Sequence, residues 1–231
     1  MLPKSALCGC LTDGPVEKLK DLLDHPELDL LEWRLDLFLK RYSLKETLDA
    51  LAMLSALSRH PVVVTNRPKR DGGEFEGPEE LRFEILHKAI EAGAEWVDLE
   101  DWVAEETVKV FQSQNARILL SHHEFSVTPD RLTLQRFAEA MAKKNPHAIK
   151  LAAYACRPED NLRILEIIPF GQRELGMDVL AFCMGPLGRW SRLVCLLLGS
   201  PWTYVQLPGS SPAAEGQFTS KEMRALLKRI E

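Results

Sequence analysis

The segment "LLEWRLDLF", residues 30–38, alternates without a break: Leu31, Trp33, Leu35 and Leu37 fall on one side of an extended chain, and Glu32, Arg34 and Asp36 fall on the other. In an antiparallel sheet with one wet face, this pattern would mean only that the charged side meets solvent. The rest of the chain closes that route. Short apolar or β-branched runs predict strands near 5–11, 28–35, 61–67, 95–100, 116–122, 147–152, 178–184 and 202–206, with amphipathic helical patterns between and after them. Eight strand-then-helix units in 231 residues fit an α/β fold of the (β/α)8 barrel type better than a doubly wound sheet of about five or six strands. In a closed barrel one strand face packs on helices and the other points inward, so Glu32, Arg34 and Asp36 are expected inside, at the C-terminal end of their strand.

Helix boundaries support the same count. "SLKE" at Ser43–Glu46 and "TSKE" at Thr219–Glu222 are capping boxes, and "GPEELRFEILHKAIEAG" places Pro78 at a helix start and Gly93 at its end. No Ser/Gly/Pro-rich linker interrupts the chain, so residues 1–231 read as a single domain. The first strand begins almost at Met1, which predicts a compact barrel with no N-terminal extension to cover its bottom.

Composition narrows the function classes. The chain is 45% hydrophobic and 27% charged, ordinary for a globular protein, and its apolar runs, such as "LVCLLLG", fall short of the roughly 20 residues of a membrane span. "MLPKSALCGC" lacks the build of a secretion signal, and a cytoplasmic location is the default. The net charge is −5 and no basic block is present, which argues against nucleic acid as a partner. Cys8, Cys10, Cys156, Cys183 and Cys195 form no CxxC or metal-finger spacing and are read as reduced core residues. No GxGxxG or GxxxxGK[ST] loop occurs.

The parity argument extends to the other strands. It places Thr65 with Arg67, Asp98 with Glu100, and Ser121 with His123, leaving His122 to face the helices. In "NPHAIKLAAYA", residues 145–155, Lys150 points inward between Ala148 and Ala152. Singly, each has a structural explanation: an ion-pair network for Glu32, Arg34 and Asp36, a satisfied core histidine, an edge lysine. Together they sit at the C-terminal ends of different strands, the face on which barrel active sites are assembled. A lysine among small apolar neighbours and beside an arginine is expected to lose its proton readily and attack a carbonyl, forming an imine. His123 would be the base that removes a proton from the adjacent carbon, while arginines and carboxylates hold a hydroxylated, anionic substrate. A metal hydrolase fits less well, because His123 has no second histidine at ligand spacing.

With these residues in place, the chain resembles the type I 3-dehydroquinate dehydratases. The resemblance rests on "LEWRLD", "TNRPKRDGGEFEG", "VDLE", "SHHEF" followed by "TP", "IKLA", "CMGPLGRWSR" and "AAEGQF", in that order. It implies a Schiff-base lyase of the shikimate pathway that converts 3-dehydroquinate to 3-dehydroshikimate by syn elimination of water, without metal or organic cofactor. By resemblance Lys150 is the imine lysine and His123 the proton shuttle, with Asp71 at the position of the acid that sets the histidine. Glu32, Arg34, Arg67, Arg192 and Gln217 become the substrate-binding residues, Arg192 for the carboxylate and Gln217 on a closing loop. A homodimer is implied in the same way.

Several positions depart from the family pattern. Asp71 is one methylene shorter than the usual glutamate, Glu124 follows the histidine where aspartate is usual, and Ala213 replaces a substrate-contacting serine, leaving Ser210 and Ser211 as the nearby hydroxyls. The family's N-terminal hairpin is absent from the pattern. Two alternatives stay open at this level: another Schiff-base barrel of the class I aldolase kind, and a catalytically weakened barrel acting as a binding or assembly module.

Overall fold

The computed structural model describes residues 5–12, 25–207, 209–210 and 212–230. Eight strands are present: β1 (Ala6–Leu11), β2 (Leu30–Arg34), β3 (Val62–Thr65), β4 (Trp96–Glu100), β5 (Arg117–Glu124), β6 (Ala148–Tyr154), β7 (Asp178–Met184) and β8 (Trp202–Gln206). They pair in parallel in the order β7-β6-β5-β4-β3-β2-β1-β8, a nearly closed (β/α)8 barrel. Among the described residues β7 and β8 share no ladder; their side chains bridge that seam, with the Phe182 and Tyr204 rings 6.1 Å apart.

Every predicted strand is found, and two boundaries differ in ways that matter. β2 stops at Arg34, and Leu35–Phe38 forms a short helix, α1. Asp36 is therefore not on the strand, a correction to the period-two reading. Alternation cannot distinguish one more strand turn from a helical turn when both bury the same residues. Asp36 is buried all the same. β5 runs on to Glu124, so both histidines of "SHHEF" stand on the strand itself.

The helices are α2 (Leu44–Leu57), α3 (Glu79–Glu91), α4 (Glu105–Ser113), α5 (Arg131–Ala142), α6 (Asp160–Leu165), α7 (Ile167–Phe170), α8 (Ser191–Leu197) and α9 (Ser220–Ile230). Ser43 and Glu46 form the expected reciprocal cap of α2, and Thr219 and Glu222 do the same for α9. Pro78 is the N-cap of α3, just outside the first turn in which the pattern places it. Past its end Gly93 has φ +106°, a conformation that side chains rarely adopt. Among the described residues no helix is long and apolar enough to cross a membrane.

The outward faces of the strands, including Leu31 and Trp33 of β2, are buried against the helices. Inside, the N-terminal ends of the strands are mainly apolar, with the exposed Arg117 of β5 over the Trp96 ring. Trp96 opens β4 and Trp202 opens β8, and their rings meet edge to face with centroids 5.2 Å apart. β4 and β8 lie on opposite sides of the ring, so the two indoles cross its axis and form a floor. Aromatic pairs in this geometry gain about 0.5–1.5 kcal/mol beyond their buried area. At this end of the barrel the space between the strands is occupied by residues of the strands themselves.

Candidate active site

The C-terminal ends of the strands surround a cavity that opens to solvent. Its walls include Glu32 and Arg34 from β2, His123 from β5, Lys150 and Ala152 from β6, and Arg67 just beyond β3. Arg192 on the first turn of α8 and Gln217 on the loop before α9 complete it, with Asp71 at its rim. All eight site residues named from the sequence thus face one space.

The surroundings of Lys150 differ from the expected small apolar enclosure. Its Nζ donates to Asp98 Oδ2 at 3.0 Å and lies 4.7 Å from the centroid of the Tyr204 ring. The nearest cationic group in this network, Arg67, stands behind the carboxylate, with Nη2 2.8 Å from Asp98 Oδ1. Asp98 is fully buried; burial pushes its carboxyl up, but Arg67 and Lys150 outweigh this and hold it below the usual range. Parity had already turned Asp98 inward, but nothing in one strand's periodicity tells which residue it meets two strands away. Tyr204 was missed for the same reason.

The two histidines of β5 are separated by the pleat. His122 packs on Phe137 of α5, with Nδ1 2.8 Å from Asp101 Oδ2 and Nε2 3.3 Å from Glu124 Oε1. Burial opposes its charge, yet the two carboxylates prevail and raise its pKa. His123 faces the cavity and stacks parallel to Phe125 with centroids 5.9 Å apart. Burial, reinforced by Arg67 and Lys150, drives its pKa well below the ordinary value and keeps the imidazole neutral. Ser121 is the ladder partner of Lys150, and His123 follows two residues later on the same face.

The remaining polar groups are held firmly. Glu32 Oε1 accepts from Thr65 Oγ1 at 2.8 Å. Arg34 makes a bidentate pair with Asp36, donating Nε to Oδ1 at 2.9 Å and Nη2 to Oδ2 at 2.7 Å. Asp36 Oδ2 also accepts from the Glu74 backbone N–H, tying the Gly-rich loop to β2. At Gly73 in that loop a Cβ would lie 2.0 Å from the Arg67 carbonyl oxygen, so only glycine permits the approach.

Arg192 is the exception. It is 1% exposed and lies over the Phe182 ring, and its Nε and Nη2 have no hydrogen-bond partner among the described residues. Burial alone lowers its pKa to about 10. A buried guanidinium with unused donors in a cavity wall is a receptor for a carboxylate or similar anion.

The departures from the family pattern have visible geometry. Asp71 lines the cavity, but its Oδ2 accepts from Trp102 Nε1 at 3.0 Å, while His123 makes no side-chain hydrogen bond among the described residues. The shorter acid is engaged by an indole whose place in the β4–α4 loop carried no sequence signal. Ala213 also lines the cavity; its backbone N–H donates to Gln217 Oε1 at 2.8 Å, and Gln217 Nε2 reaches Cys10 Sγ at 3.4 Å. The Ser210 hydroxyl is used by the Leu207 carbonyl, and Ser211 lies outside the described residues. Cys8, Cys10, Cys183 and Cys195 are buried and unpaired as expected, whereas Cys156 is exposed.

A buried primary amine, a neutral imidazole and an unpaired guanidinium around one cavity suit carbonyl chemistry on an anionic substrate. Residues 7–231 match the family model described as type I 3-dehydroquinase. The chain belongs to the type I 3-dehydroquinase family. It is 46% identical over 229 residues to the 3-dehydroquinate dehydratase of Syntrophobacter fumaroxidans, covering 99% of this chain and 98% of that protein. It is 34% identical to the enzyme of the same name from Pyrococcus abyssi, covering 92% and 91% of the two chains. The crystal structure of 3-dehydroquinate dehydratase from Geobacillus kaustophilus superposes with a TM-score of 0.87 at 24% identity, over 98% of this chain and 91% of that one, a likeness of fold. Membership in the type I 3-dehydroquinases displaces the aldolase-like alternative.

Proposed function

We propose that the protein removes water from 3-dehydroquinate to give 3-dehydroshikimate, a step of the shikimate pathway, through an imine on Lys150. The observation that carries the proposal is the placement of Lys150 and neutral His123 on adjacent strands, facing one cavity. After proton loss, Nζ attacks the substrate ketone and water leaves, giving an iminium. His123 then takes a proton from the carbon next to the iminium carbon, and the electron pair flows into the C=N bond. Return of the pair expels the hydroxyl, which leaves as water with the proton from His123. Hydrolysis of the new iminium frees the product and restores the amine. Both ammonium and iminium carry one positive charge, so Asp98 stabilises the lysine nitrogen before and after bond formation.

Arg192 is assigned to the substrate carboxylate, which supplies the partner its Nε and Nη2 lack. Glu32, Arg34 and Arg67 are assigned to the substrate hydroxyls, and Gln217 to closing the cavity from the loop before α9. We assign the protein to the cytoplasm as a homodimer, on the family resemblance and its unpaired cysteines. Light scattering on the purified protein tests the dimer.

The decisive test incubates the protein with 3-dehydroquinate, reduces it with borohydride and maps the adduct by mass spectrometry. An adduct on Lys150 together with the absorbance of the conjugated enone product is expected. Unmodified Lys150 and no product would overturn the reading.

A further inference from the structure

Arg67 does not hang free in the cavity. Its Nη2 lies 2.8 Å from Asp98 Oδ1, and its Nη1 donates to Glu100 Oε1 at 2.8 Å. The other oxygen of Glu100 lies 2.7 Å from Nη1 of Arg82, a fully buried arginine of α3 that takes no part in the cavity wall. Arg82 is gripped in turn by Glu79, with Nε donating to Oε1 at 2.6 Å and Nη2 to Oε2 at 3.0 Å. It also donates through Nη1 to the carbonyl of Asn66, the residue just before Arg67, at 3.2 Å. Charges therefore alternate along one line, from the Lys150 amine through Asp98, Arg67, Glu100 and Arg82 to Glu79 at the start of α3.

We propose that Glu100 and Arg82 are positioning residues of the reaction, fixing the guanidinium of Arg67 against the substrate from behind the cavity wall. The proposal rests on the reading of Arg67 as a substrate-binding residue. An arginine stem is long and rotatable, so its head is useful only when something holds it. Asp98 and Glu100, two residues apart on one strand face, take one Nη each and set the plane of the head. Arg82 then acts on both ends of Arg67: it orients the carboxylate that grips the head and anchors the backbone just before the residue. A stable fold alone does not need this arrangement, because buried ion pairs are commonly matched in stability by apolar residues of similar size.

Burial pushes the Glu100 carboxyl up to about 7, against the pull of Arg67 and Arg82. The groups facing it are Arg67 from the end of β3, Arg82 from α3, Asp98 on its own strand and the uncharged Ser121, its ladder partner on β5. Asp98 is held low, so in this line Glu100 is the member that takes up a proton as pH falls through neutrality. Protonation removes the charge that holds Arg67 Nη1.

The test measures KM and kcat for the wild type and for folded Glu100→Gln, Glu79→Gln and Arg82→Lys between pH 6 and 8.5, with melting temperatures alongside. For Glu100→Gln, KM is expected to rise about tenfold while kcat stays within about threefold, since the effect passes through binding and leaves the reacting atoms in place. Wild-type KM should climb as the pH drops through 7, and Glu100→Gln should abolish that slope. Glu79→Gln alters a partly exposed carboxylate and leaves the buried charges intact; its KM should rise about two- to threefold. Arg82→Lys, which keeps the positive charge beside Glu100, should raise KM by less than Glu100→Gln does. If the variants lose melting temperature but keep the wild-type KM and its pH dependence, the two residues are structural and the proposal fails. A wild type that neither turns over 3-dehydroquinate nor forms the Lys150 adduct would instead overturn the functional reading beneath it.

Discussion

β4 begins with Trp96, whose ring meets that of Trp202 at the start of β8 across the barrel axis. Two residues further along the same strands stand Asp98 and Tyr204, and between them they hold the amine of Lys150. A rise of about 3.3 Å per residue separates these layers by less than 7 Å. Below, the interior is mainly apolar, with the exposed Arg117 lying over the Trp96 ring at its outer end; above, it carries Lys150, Asp98, Arg67, Glu100 and Arg192, all buried. Buried charges contribute little net stability even when paired. The floor therefore supports the mouth, and the two halves should respond to substitution in opposite ways.

The largest effects belong to the mouth. Lys150→Ala should lower kcat per folded molecule by more than about 10³-fold and abolish the borohydride-trapped adduct. His123→Ala should lose about 10²- to 10⁴-fold in kcat, the usual contribution of a general base, while still trapping the adduct. Equal loss of the adduct in both variants would break the division of labour between them. At the floor, Trp202→Ala should cost about 3–5 kcal/mol in denaturant unfolding, with kcat per folded molecule unchanged. A large fall in kcat at unaltered stability would show that the floor is not separable from the chemistry.

Arg192→Met sharpens the contrast at a single position. Losing a charge-assisted bond to the substrate carboxylate, worth about 1.5–3 kcal/mol, should raise KM by about 10- to 150-fold. Removing an unpaired buried cation should leave the melting temperature equal or higher. A lower melting temperature with unchanged KM would mean that Arg192 is structural. The smallest effect is expected for Ala213→Ser. The Ala213 backbone N–H donates to Gln217 Oε1, so the new contact would come from the added hydroxyl, whose single O–H can donate one bond to the substrate. A gain of about 0.5–1.5 kcal/mol predicts a rise in kcat/KM of a few-fold to about tenfold. An unchanged value would show that the closing loop works fully without it.

The same contrast explains what the sequence made legible. Period-two geometry acts within a strand, and it correctly turned Glu32, Arg34, Arg67, His123 and Lys150 into the barrel and His122 out of it. Pairings between strands lie beyond its reach. The Lys150–Asp98 contact spans 52 residues, and neither strand's pattern specifies it. Asp36 misled because helical and extended continuations of "LLEWR" both bury it. Trp102 was invisible because a loop has no period. The floor could have been found: Trp96 and Trp202 begin their strands with the parity of Asp98 and Tyr204, and two inward indoles at that end leave little space open.

The seam between β7 and β8 bears on how such a ring is completed. β8 finds its ladder with β1, pairing Ala6 with Trp202 and Cys10 with Gln206 across nearly the whole chain, while among the described residues its other edge forms no ladder with β7 and meets it through the Phe182 and Tyr204 rings. Among the described residues no segment before β8 pairs with that edge of β1, so the edge is covered only when the last strand is in place. Until then the nascent sheet has two open edges and Trp96 lacks its partner, a state exposed to edge-to-edge association. The one strand that covers the β1 edge also carries Trp202 to the floor and Tyr204 to the lysine, so the catalytic end is complete only when the ring is.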